Sequence, residues 1–575
     1  MGLHTVLKWL LVRKCLRVYD RFRTLARDPR VVQETVLLEK LRCCQDSRFG
    51  RDHAFADIHS VETFRRRLPV ATYEDFVPYI EDLKRGDVRA CFGPGERVLM
   101  FALTSGTHAE PKYIPVTKTF LREYRLGWHV WGGAVARTRM SAYDHYIFRV
   151  VSPCDERHTE AGIPCGSISG FMTESLPRIV RNHYVPPLEV ARIKHAPSRY
   201  YLAGRIGLTH RISLLSSANP SSILSVVRAV DANRETIVRD LHDGTVDASW
   251  EVPDEIKRRL ARHLRPRTKR AAEIEKIIHR TGRLLPKDYW PELGLISNWK
   301  GGSCGLYLDC YDEYFGDVPV HDIGLLASEG RMTIPLTSDG SSGPLDITSH
   351  FFEFIPEAEI ERENPTTLLT HELAEGEKYF ILLTTSSGLY RYNIMDLVEV
   401  TGFCERTPEV RFLNKGRHFS SLTGEKISEF HVVESLARAY ARLNLDAADG
   451  VLSPMSGETP RYSLAVEKRA ELTLERARAF LESFEEALRA CNVEYRAKRE
   501  SNRLAAPVLH VLHSGAFART KQDHLERTGG RTEQYKHRFI TGEIDTYRTL
   551  PVEETIEPTA SAVPSAPEKP CDTND

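Results

Sequence analysis

The stretch TSGTHAEPKYIP, residues 104–115, follows an apolar run from Val98 to Leu103 that is typical of a buried strand. Hydroxyl residues and a glycine come directly after this run, and a proline and a lysine follow a few residues later. Backbone amides in such a loop can converge on a phosphate group, and hydroxyl and ammonium groups add further donors. The stretch therefore predicts a phosphate-binding loop, although a Ser- and Thr-rich segment with a glycine is also typical of an ordinary turn.

This loop differs from the Walker A loop of P-loop NTPases. The spacing from Gly106 to Lys112 fits that motif, but Pro111 replaces its second glycine. Tyr113 also replaces the hydroxyl residue that would hold magnesium. The sequence therefore argues against a standard P-loop NTPase.

Composition and charge limit the class of protein. A chain of 575 residues is too long for one hydrophobic core and indicates two or three domains. Lys plus Arg equals Asp plus Glu at 79 each, and the basic segment 257–283 has apolar residues at core-facing spacing, so we expect no nucleic-acid partner. The 11 cysteines follow no disulfide or zinc pattern, which favours a cytoplasmic protein.

The N-terminal segment is basic and amphipathic. Residues 1–30 hold eight Lys or Arg against two Asp, with apolar residues at helical spacing. A helix docked on the body with a solvated basic face is the favoured interpretation, and contact with a membrane surface is the alternative. No apolar run approaches the roughly 18 residues that a membrane span needs, so we expect no span.

Strand-like runs alternate with helical patterns, which predicts an α/β body. The predicted strands are Val98–Leu103, Ile147–Val151, Leu325–Ala327, Tyr379–Thr385 and Val398–Val400, and the predicted helices cover 33–44, 221–241 and 254–280. Beyond a composition shift near Asn414–Arg417, predicted helices at 429–443 and 471–490 mix with strands at 461–467 and 508–513. We therefore expect a large N-terminal α/β domain over residues 1–415 and a smaller α+β domain over 416–548.

The C-terminal segment 549–575 is predicted to be a disordered tail. Its last 25 residues, 551–575, contain five prolines and six acidic residues. Such a composition buries too little apolar surface to fold. Removal of residues 551–575 is therefore expected to leave stability and activity unchanged.

The loop at 104–115 resembles the phosphate loop of acyl-adenylate-forming enzymes, with His108-Ala109 where those enzymes usually have Thr-Gly. The resemblance implies that ATP phosphates bind at Thr104, Ser105, Gly106, Thr107 and Lys112. Residues 325–329, LLASE, look like the second motif of these enzymes, in which Ser328 would contact the α-phosphate and Glu329 would bind magnesium. A Ser-Glu pair can also simply begin a helix.

Residues 388–402, GLYRYNIMDLVEVTG, look like the third motif. Tyr392 and Asp396 match its Tyr-x-x-x-Asp pattern, in which the carboxylate accepts hydrogen bonds from the ribose hydroxyls. Asn393 and Met395 depart from it, because Arg and Gly are common there.

Residues 299–307, WKGGSCGLY, look like the segment that lies along adenine. Gly301 and Gly302 would let the backbone approach the flat ring, Ser303 would lie on the same adenine side, and Tyr307 could stack on the ring.

The order and spacing of these motifs resemble the plant auxin-responsive Gretchen Hagen family, the acyl acid–amido synthetases, and its bacterial relatives; we expect a bacterial-type member. GRTEQYKH at 530–537 resembles the family's C-terminal segment with a mobile catalytic lysine, here Lys536. The resemblance implies a C-terminal domain that rotates about a hinge near Asn414–Arg417. It also implies a two-step reaction in which ATP, with Mg²⁺, adenylates a carboxylic acid and an amine or amino acid then takes the acyl group.

The resemblance places the acid beside residues 165–175 and 216–224, whose mixed composition does not identify it. We expect a monomer. Two alternatives stay open: transfer of the acyl group to a thiol, as in coenzyme A ligases, and a nucleotide-binding scaffold that has lost catalysis. A third, weaker alternative is a basic surface-binding protein, which would leave the motifs unexplained.

Overall fold

The computed structural model describes residues 3–104, 111–416, 419–420, 422, 425, 427–456, 460–500, 504–528 and 537–558. The chain divides into two compact units, the first made of residues 1–417 and 523–536 and the second of residues 418–522 and 537–575. Helices and sheets are mixed in both units, and the predicted α/β class is confirmed. None of the described helices is long and apolar enough to cross a membrane.

The helices, labelled in chain order, are α1 Leu3–Leu25, α2 Pro29–Cys44, α3 Arg48–Asp52, α4 Val61–Arg67, α5 Val77–Lys84, α6 Lys118–Thr138, α7 Ile168–Glu174, α8 Arg178–Arg181, α9 Ala196–Gly207, α10 Pro220–Ala232, α11 Arg234–Asp243, α12 Asp254–Arg259, α13 Thr268–Thr281, α14 Pro286–Tyr289, α15 Tyr311–Phe315, α16 Glu429–Arg442, α17 Leu474–Cys491, α18 Val493–Glu500 and α19 Ala516–Thr528.

The strands are β1 Val98–Thr104, β2 Lys112–Thr117, β3 Tyr146–Arg149, β4 Arg157–His158, β5 Pro164–Gly166, β6 Tyr184–Val185, β7 Ile212–Ser216, β8 Leu295–Asn298, β9 Val320–Asp322, β10 Gly343–Pro344, β11 Phe351–Pro356, β12 Leu368–Leu369, β13 Lys378–Thr384, β14 Tyr392–Cys404, β15 Thr407–Lys415, β16 Phe419–Ser420, β17 Ile427–Ser428, β18 Gly450–Met455, β19 Arg461–Glu467, β20 Val508–Leu512 and β21 Val552–Ile556.

Three sheets organise the first unit. A five-stranded sheet in the order β6-β3-β7-β8-β9 is parallel throughout. A four-stranded sheet, β2-β1-β5-β4, carries the β1–β2 hairpin, and a six-stranded antiparallel sheet has the order β10-β15-β14-β13-β11-β12. Ligands of open α/β sheets bind outside the carboxyl ends of parallel strands. The carboxyl ends of β3, β7, β8 and β9 are therefore the edge at which to look for a site.

Two long predicted helices are each broken in the structure. The pattern over 221–241 forms α10 and α11, which are separated at Asn233, and the pattern over 254–280 forms α12 and α13. In the second case Pro266 lies between the helices, and the residue before a proline is disfavoured in the α conformation. Apolar residues recur at helical spacing on both sides of each break, so the sequence pattern alone did not reveal where the helices end.

The predicted strand Leu325–Ala327 is also wrong. Only an isolated bridge between Leu326 and Arg331 forms there, because the chain turns back immediately after Ala327. Ala327 and Gly330 exchange backbone hydrogen bonds of 2.9 and 3.3 Å across this turn. Ser328 and Glu329 therefore sit at its tip and do not begin a helix.

The second unit contains a four-stranded sheet in the order β18-β19-β20-β21. Its last strand corrects the predicted tail, because Val552–Ile556 pairs antiparallel with β20, with Leu509 opposite Ile556 and His510 opposite Thr555. Backbone pairing and the burial of Ile556 hold a segment that composition alone marked as disordered. Residues 559–575 lie outside the described part of the chain, so a deletion that spares the sheet must begin after residue 558.

Candidate active site

The β1–β2 hairpin brings the two ends of the predicted phosphate loop together. Thr104 at the end of β1 lies opposite Lys112 at the start of β2. Both are half-buried, and residues 105–110 between them, including the predicted Ser105, Gly106 and Thr107, lie outside the described part of the chain.

Lys112 connects this hairpin to the start of β14. Its Nζ donates a hydrogen bond of 3.3 Å to the hydroxyl of Tyr392, and it lies 5.2 Å from the ring centroid of Tyr73. Tyr73 is held in turn by the backbone of Tyr113, whose amide donates to the Tyr73 hydroxyl at 2.7 Å. The ammonium group is thus placed by contacts with two aromatic rings.

The start of β14 has an unusual backbone. Tyr392 and Asp396 are both buried, and each directly follows a left-handed residue: Arg391 with φ 48° and Met395 with φ 62°. Such conformations are costly for residues other than glycine and collect at functional sites. Ala71 forms an isolated parallel β-bridge with Tyr392. This bridge connects the irregular segment to the N-terminal part of the first unit.

A buried ion pair also stabilises the start of β14. Arg391 donates two hydrogen bonds of 2.9 Å to the carboxylate of Glu353 on β11. Its remaining guanidinium nitrogen donates to the carbonyl oxygens of Leu68 at 2.6 Å and Arg65 at 3.1 Å. The left-handed conformation of Arg391 is therefore fixed by a well-satisfied side chain.

Glu329 reaches the same place from the turn after β9. Its carboxylate and that of Asp396 are close enough to raise the pKa of the Tyr392 phenol further, beyond the larger effect of burial. Glu329 also raises the pKa of Tyr73, where burial is again the main cause. The structure thus gathers Lys112, Glu329, Tyr392 and Asp396 from three distant segments around one pair of tyrosines.

Glu329 is only 5% exposed, and no hydrogen bond or ion pair joins its carboxylate to another of the described residues. Within the described ranges, no group of three or more His, Cys, Asp or Glu side chains could hold a metal ion. A single carboxylate such as Glu329 nevertheless fits Mg²⁺, because nucleotide enzymes bind this ion through one or two carboxylates together with substrate phosphates.

The predicted adenine segment forms a short 3-10 helix, Gly302–Tyr307, after β8. A Cβ on Gly301 would lie 3.3 Å from Ser341, so the backbone approaches that residue closely. The Tyr307 side chain packs against the hydrophobic core. Its stacking on adenine stays a prediction, as do the roles of Gly302 and Ser303.

Asp322, at the end of β9, anchors the segment before it. Its carboxylate accepts hydrogen bonds of 2.6 Å from the backbone amides of Lys300 and Gly324, and burial raises its pKa to about 6. The sequence did not single out Asp322 as a site residue, because no strand was predicted over residues 320–322. An acidic residue at the end of a parallel strand is the signal that could have found it.

A second group, which sequence reasoning missed, lies at the carboxyl ends of β3 and β9. The guanidinium carbons of Arg149 and Arg331 lie 6.0 and 4.3 Å from the ring centroid of Trp128. Both charges also lower the pKa of the neighbouring Tyr124 against the larger raising effect of burial. Arg331 is fully buried, and its Nε and Nη2 have no acceptor among the described residues. Arg149 has no ion-pair partner in the same part of the chain.

This group adjoins the first one, because Arg331 follows Glu329 by two residues in the same turn. Gly127 on α6 makes its packing possible, since a Cβ there would lie 2.4 Å from the Arg331 side chain. The predicted catalytic Lys536 lies outside the described residues.

Three family models match the chain in order: the GH3 family N-terminal domain over residues 18–320, the GH3 family central domain over 343–415 and the GH3 family C-terminal domain over 431–543. Among curated proteins, the chain is 23% identical over 547 residues to jasmonoyl–L-amino acid synthetase JAR6 of Nicotiana attenuata, covering 90% of this chain and 92% of that protein. It is 25% identical over 557 residues to the probable indole-3-acetic acid-amido synthetase GH3.1 of Arabidopsis thaliana, covering 91% and 90%.

Among solved structures, the AtGH3.15 acyl acid amido synthetase in complex with 2,4-DB superposes with a TM-score of 0.81 at 19% identity, covering 95% of this chain and 97% of that one. This likeness shows that the two chains share a fold.

Proposed function

The chain belongs to the GH3 family, and from that premise we propose that it is an ATP-dependent acyl acid–amido synthetase. The substrates are a carboxylic acid, ATP and an amine, which we take to be an amino acid. The related jasmonoyl–L-amino acid and indole-3-acetic acid-amido synthetases, as their names state, support an amine over a thiol as the acceptor. We further propose a cytoplasmic monomer, in keeping with ten described cysteines that form no disulfide.

The observation that carries the proposal is the convergence of Lys112, Glu329, Tyr392 and Asp396. A cation, two carboxylates and a phenol meet beside a hairpin loop, although more than 200 residues separate the first two of them in sequence. A nucleotide needs this combination: a charge for phosphate oxygens, an oxygen ligand for the metal and an acceptor for sugar hydroxyls. We propose that Asp396 binds the ribose and that Ser328, Thr104 and Lys112 bind the phosphates, and the meeting of Lys112 and Asp396 around Tyr392 supports this.

In the first step a carboxylate oxygen of the acid attacks the α-phosphorus of ATP. The bond to the bridging oxygen breaks, and pyrophosphate leaves with its electron pair. Glu329 would hold Mg²⁺, which when bound neutralises charge on the phosphate oxygens. Lys112 and the proposed catalytic Lys536 add positive charge while two anions approach each other.

In the second step the amine nitrogen attacks the acyl carbon. The bond to the AMP oxygen breaks, AMP leaves, and the amine gives up a proton to form the amide. We propose that Lys536 serves the first step only and that a rotation of the second unit separates the two steps.

The acid is proposed to lie against Trp128, beside the guanidinium groups of Arg149 and Arg331. The support is the position of this pair at the carboxyl edge of the parallel sheet and the short chain distance from Glu329 to Arg331. An aromatic face and a cation suit an acid with a flat or apolar acyl group.

The proposal is tested by ATP–pyrophosphate exchange with a library of carboxylic acids, followed by amines and thiols on any acid that reacts. We expect exchange with at least one acid and amide formation with an amine. Exchange followed by transfer only to a thiol would identify a ligase of the other class, and no exchange with any acid would favour a scaffold that has lost catalysis.

Lys536→Ala supplies the mechanistic part of the test. It should lower exchange about 10²–10³-fold, the usual cost of losing one preorganised donor, while supplied acyl-AMP is still converted to amide. An equal fall in both half-reactions would assign Lys536 to both steps or to structure. Lys521→Ala, on the described helix α19, is the matched control.

A further inference from the structure

The exposed face of helix α1 does not take part in the proposed chemistry. Its opposite face is docked, because Val12, Cys15 and Phe22 are buried and α6 meets the helix closely. Gly132 and Gly133 permit this approach: a Cβ on Gly133 would lie 2.6 Å from the Cys15 carbonyl oxygen and from the Tyr19 side chain. The helix is therefore a fixed part of the first unit.

Ion pairs fasten the edges of α1. Lys8 pairs with Asp144 at 2.5 Å, Arg137 with Asp20 at 2.5 Å, and Arg23 with Glu405 at 2.7 Å. These contacts use the charged residues at the border of the docked face. They leave the outward face of the helix without acidic partners from the rest of the described chain.

That outward face combines exposed apolar residues with unpaired basic ones. Trp9 and Leu10 are each 52% exposed on this side of the helix, whereas Leu11, 39% exposed, lies nearer the docked face because successive helical residues point about 100° apart. Leu10 lies on one helical stripe with Lys14, Arg17 and Arg21, since spacings of four, three and four residues return to the same face. These basic residues and Arg13 are exposed and have no ion-pair partner in the described ranges.

We propose that the outward face of α1 docks the protein on an anionic membrane surface. Trp9 and Leu10 enter the headgroup region, and the basic stripe contacts lipid phosphates. A helix with apolar residues and a row of Lys and Arg lies in the plane of such a surface, and tryptophan favours that interface.

Two other occupants fit this face less well. A second copy of the chain, related by a two-fold axis, would place the basic stripe near its own image, and like charges repel. A nucleic acid would match the basic residues but would leave Trp9 and Leu10 exposed. The anionic bilayer satisfies both features at once.

The test is co-flotation of the full chain with vesicles of phosphatidylcholine alone or with about 30% phosphatidylglycerol, at low and high salt. We expect binding to the anionic vesicles only, and a several-fold loss at high salt because exposed charges are screened. Arg17→Gln with Arg21→Gln should weaken partitioning about 25-fold, since each basic residue near the surface contributes about fivefold. Trp9→Ser with Leu10→Ser should weaken it at least tenfold.

Matched variants of the same unit serve as controls. Arg258→Gln with Lys269→Gln removes the same charge from another basic segment, and Ile179→Ser removes an apolar side chain that is 49% exposed. Neither should change flotation, and all variants should melt like the original protein because the altered side chains are exposed. The proposal is overturned if the protein does not float with anionic vesicles, or if the control variants lose as much binding as the α1 variants. Self-association in ultracentrifugation that the Trp9 and Leu10 changes abolish, without vesicle binding, would identify a second copy as the occupant and would also overturn it.

Discussion

Glu353 and Glu329 are both buried carboxylates of the first unit, but their surroundings are opposite. Glu353 is 1% exposed and receives two hydrogen bonds of 2.9 Å from Arg391. Glu329 is 5% exposed and is contacted by no cation of the described residues. A buried charge that is satisfied belongs to the scaffold, whereas one that is not satisfied indicates a place where a ligand completes the structure. The two residues should therefore respond differently to substitution.

The largest effect is expected at Glu353. Glu353→Ala leaves the buried Arg391 without its counter-ion, and breaking a buried pair in this way costs about 3–5 kcal/mol of unfolding free energy. Chemical denaturation measures it. Glu399→Ala, which breaks the pair with Arg411 on the partly exposed side of β14, is the control and should cost about 1 kcal/mol or less. Equal losses in the two variants would remove the distinction between buried and surface pairs here.

Glu329 should show the reverse behaviour. Glu329→Gln keeps the shape of the side chain but removes its charge, so we expect the unfolding free energy to stay the same or to rise. Exchange of pyrophosphate should fall about 10²–10³-fold and should need a higher Mg²⁺ concentration for half-maximal rate, because the proposed oxygen ligand is weakened. A clear loss of stability with normal exchange would place Glu329 in the scaffold beside Glu353.

Asp396 tests whether the same centre binds the nucleotide. Asp396→Ala removes the proposed acceptor of the ribose hydroxyls, and hydrogen bonds to charged groups are worth about 1.5–3 kcal/mol. The KM for ATP should rise about 10–100-fold while the KM for the acid changes little. Glu399→Ala, three residues later on β14, should leave both constants unchanged. An unaltered KM for ATP would remove Asp396 from the nucleotide site.

The smallest effect concerns the backbone before Asp396. Met395 has φ 62°, and a left-handed conformation costs a residue with a Cβ about 1–2 kcal/mol. Met395→Gly relieves that strain but makes the unfolded chain more flexible, so a net gain of about 0.5–1 kcal/mol is expected in denaturation experiments. Met395→Ala keeps the Cβ and should give no gain. If both variants behave alike, the strain is not located at the Cβ.

Local apolar runs predicted much of the fold. The runs Val98–Leu103 and Tyr379–Thr385 correspond to β1 and β13 within one residue at each end, because each is a short buried strand with clear flanks. The run Leu325–Ala327 looked the same but forms a turn, since its neighbours in space and not its composition decide the backbone. A local sequence pattern describes one segment only. It does not show which strand, if any, will pair with that segment.

Local sequence patterns also identified only part of the candidate site. Lys112, Glu329, Tyr392 and Asp396 were singled out by motif, and the structure places them together, while their individual roles stay predictions. Trp128 with Arg149 and Arg331 was not singled out, because nothing in the local sequence distinguishes an arginine at a sheet edge from the many arginines of a solvated surface. Their importance depends on contacts between residues about 20 to 200 positions apart.

Strand β21 has a consequence for how the protein is made. It pairs with β20, but 44 residues separate Leu512, the last residue of β20, from Ile556, the last residue of β21. At about 5–20 residues per second, a ribosome needs about 2–9 s to add them. During that interval β20 presents an unpaired edge, and exposed edges are where strands of other chains add. Slow codons or a fusion inserted between these two strands would lengthen the interval, and should therefore lower the soluble yield of the protein without altering the folded molecule.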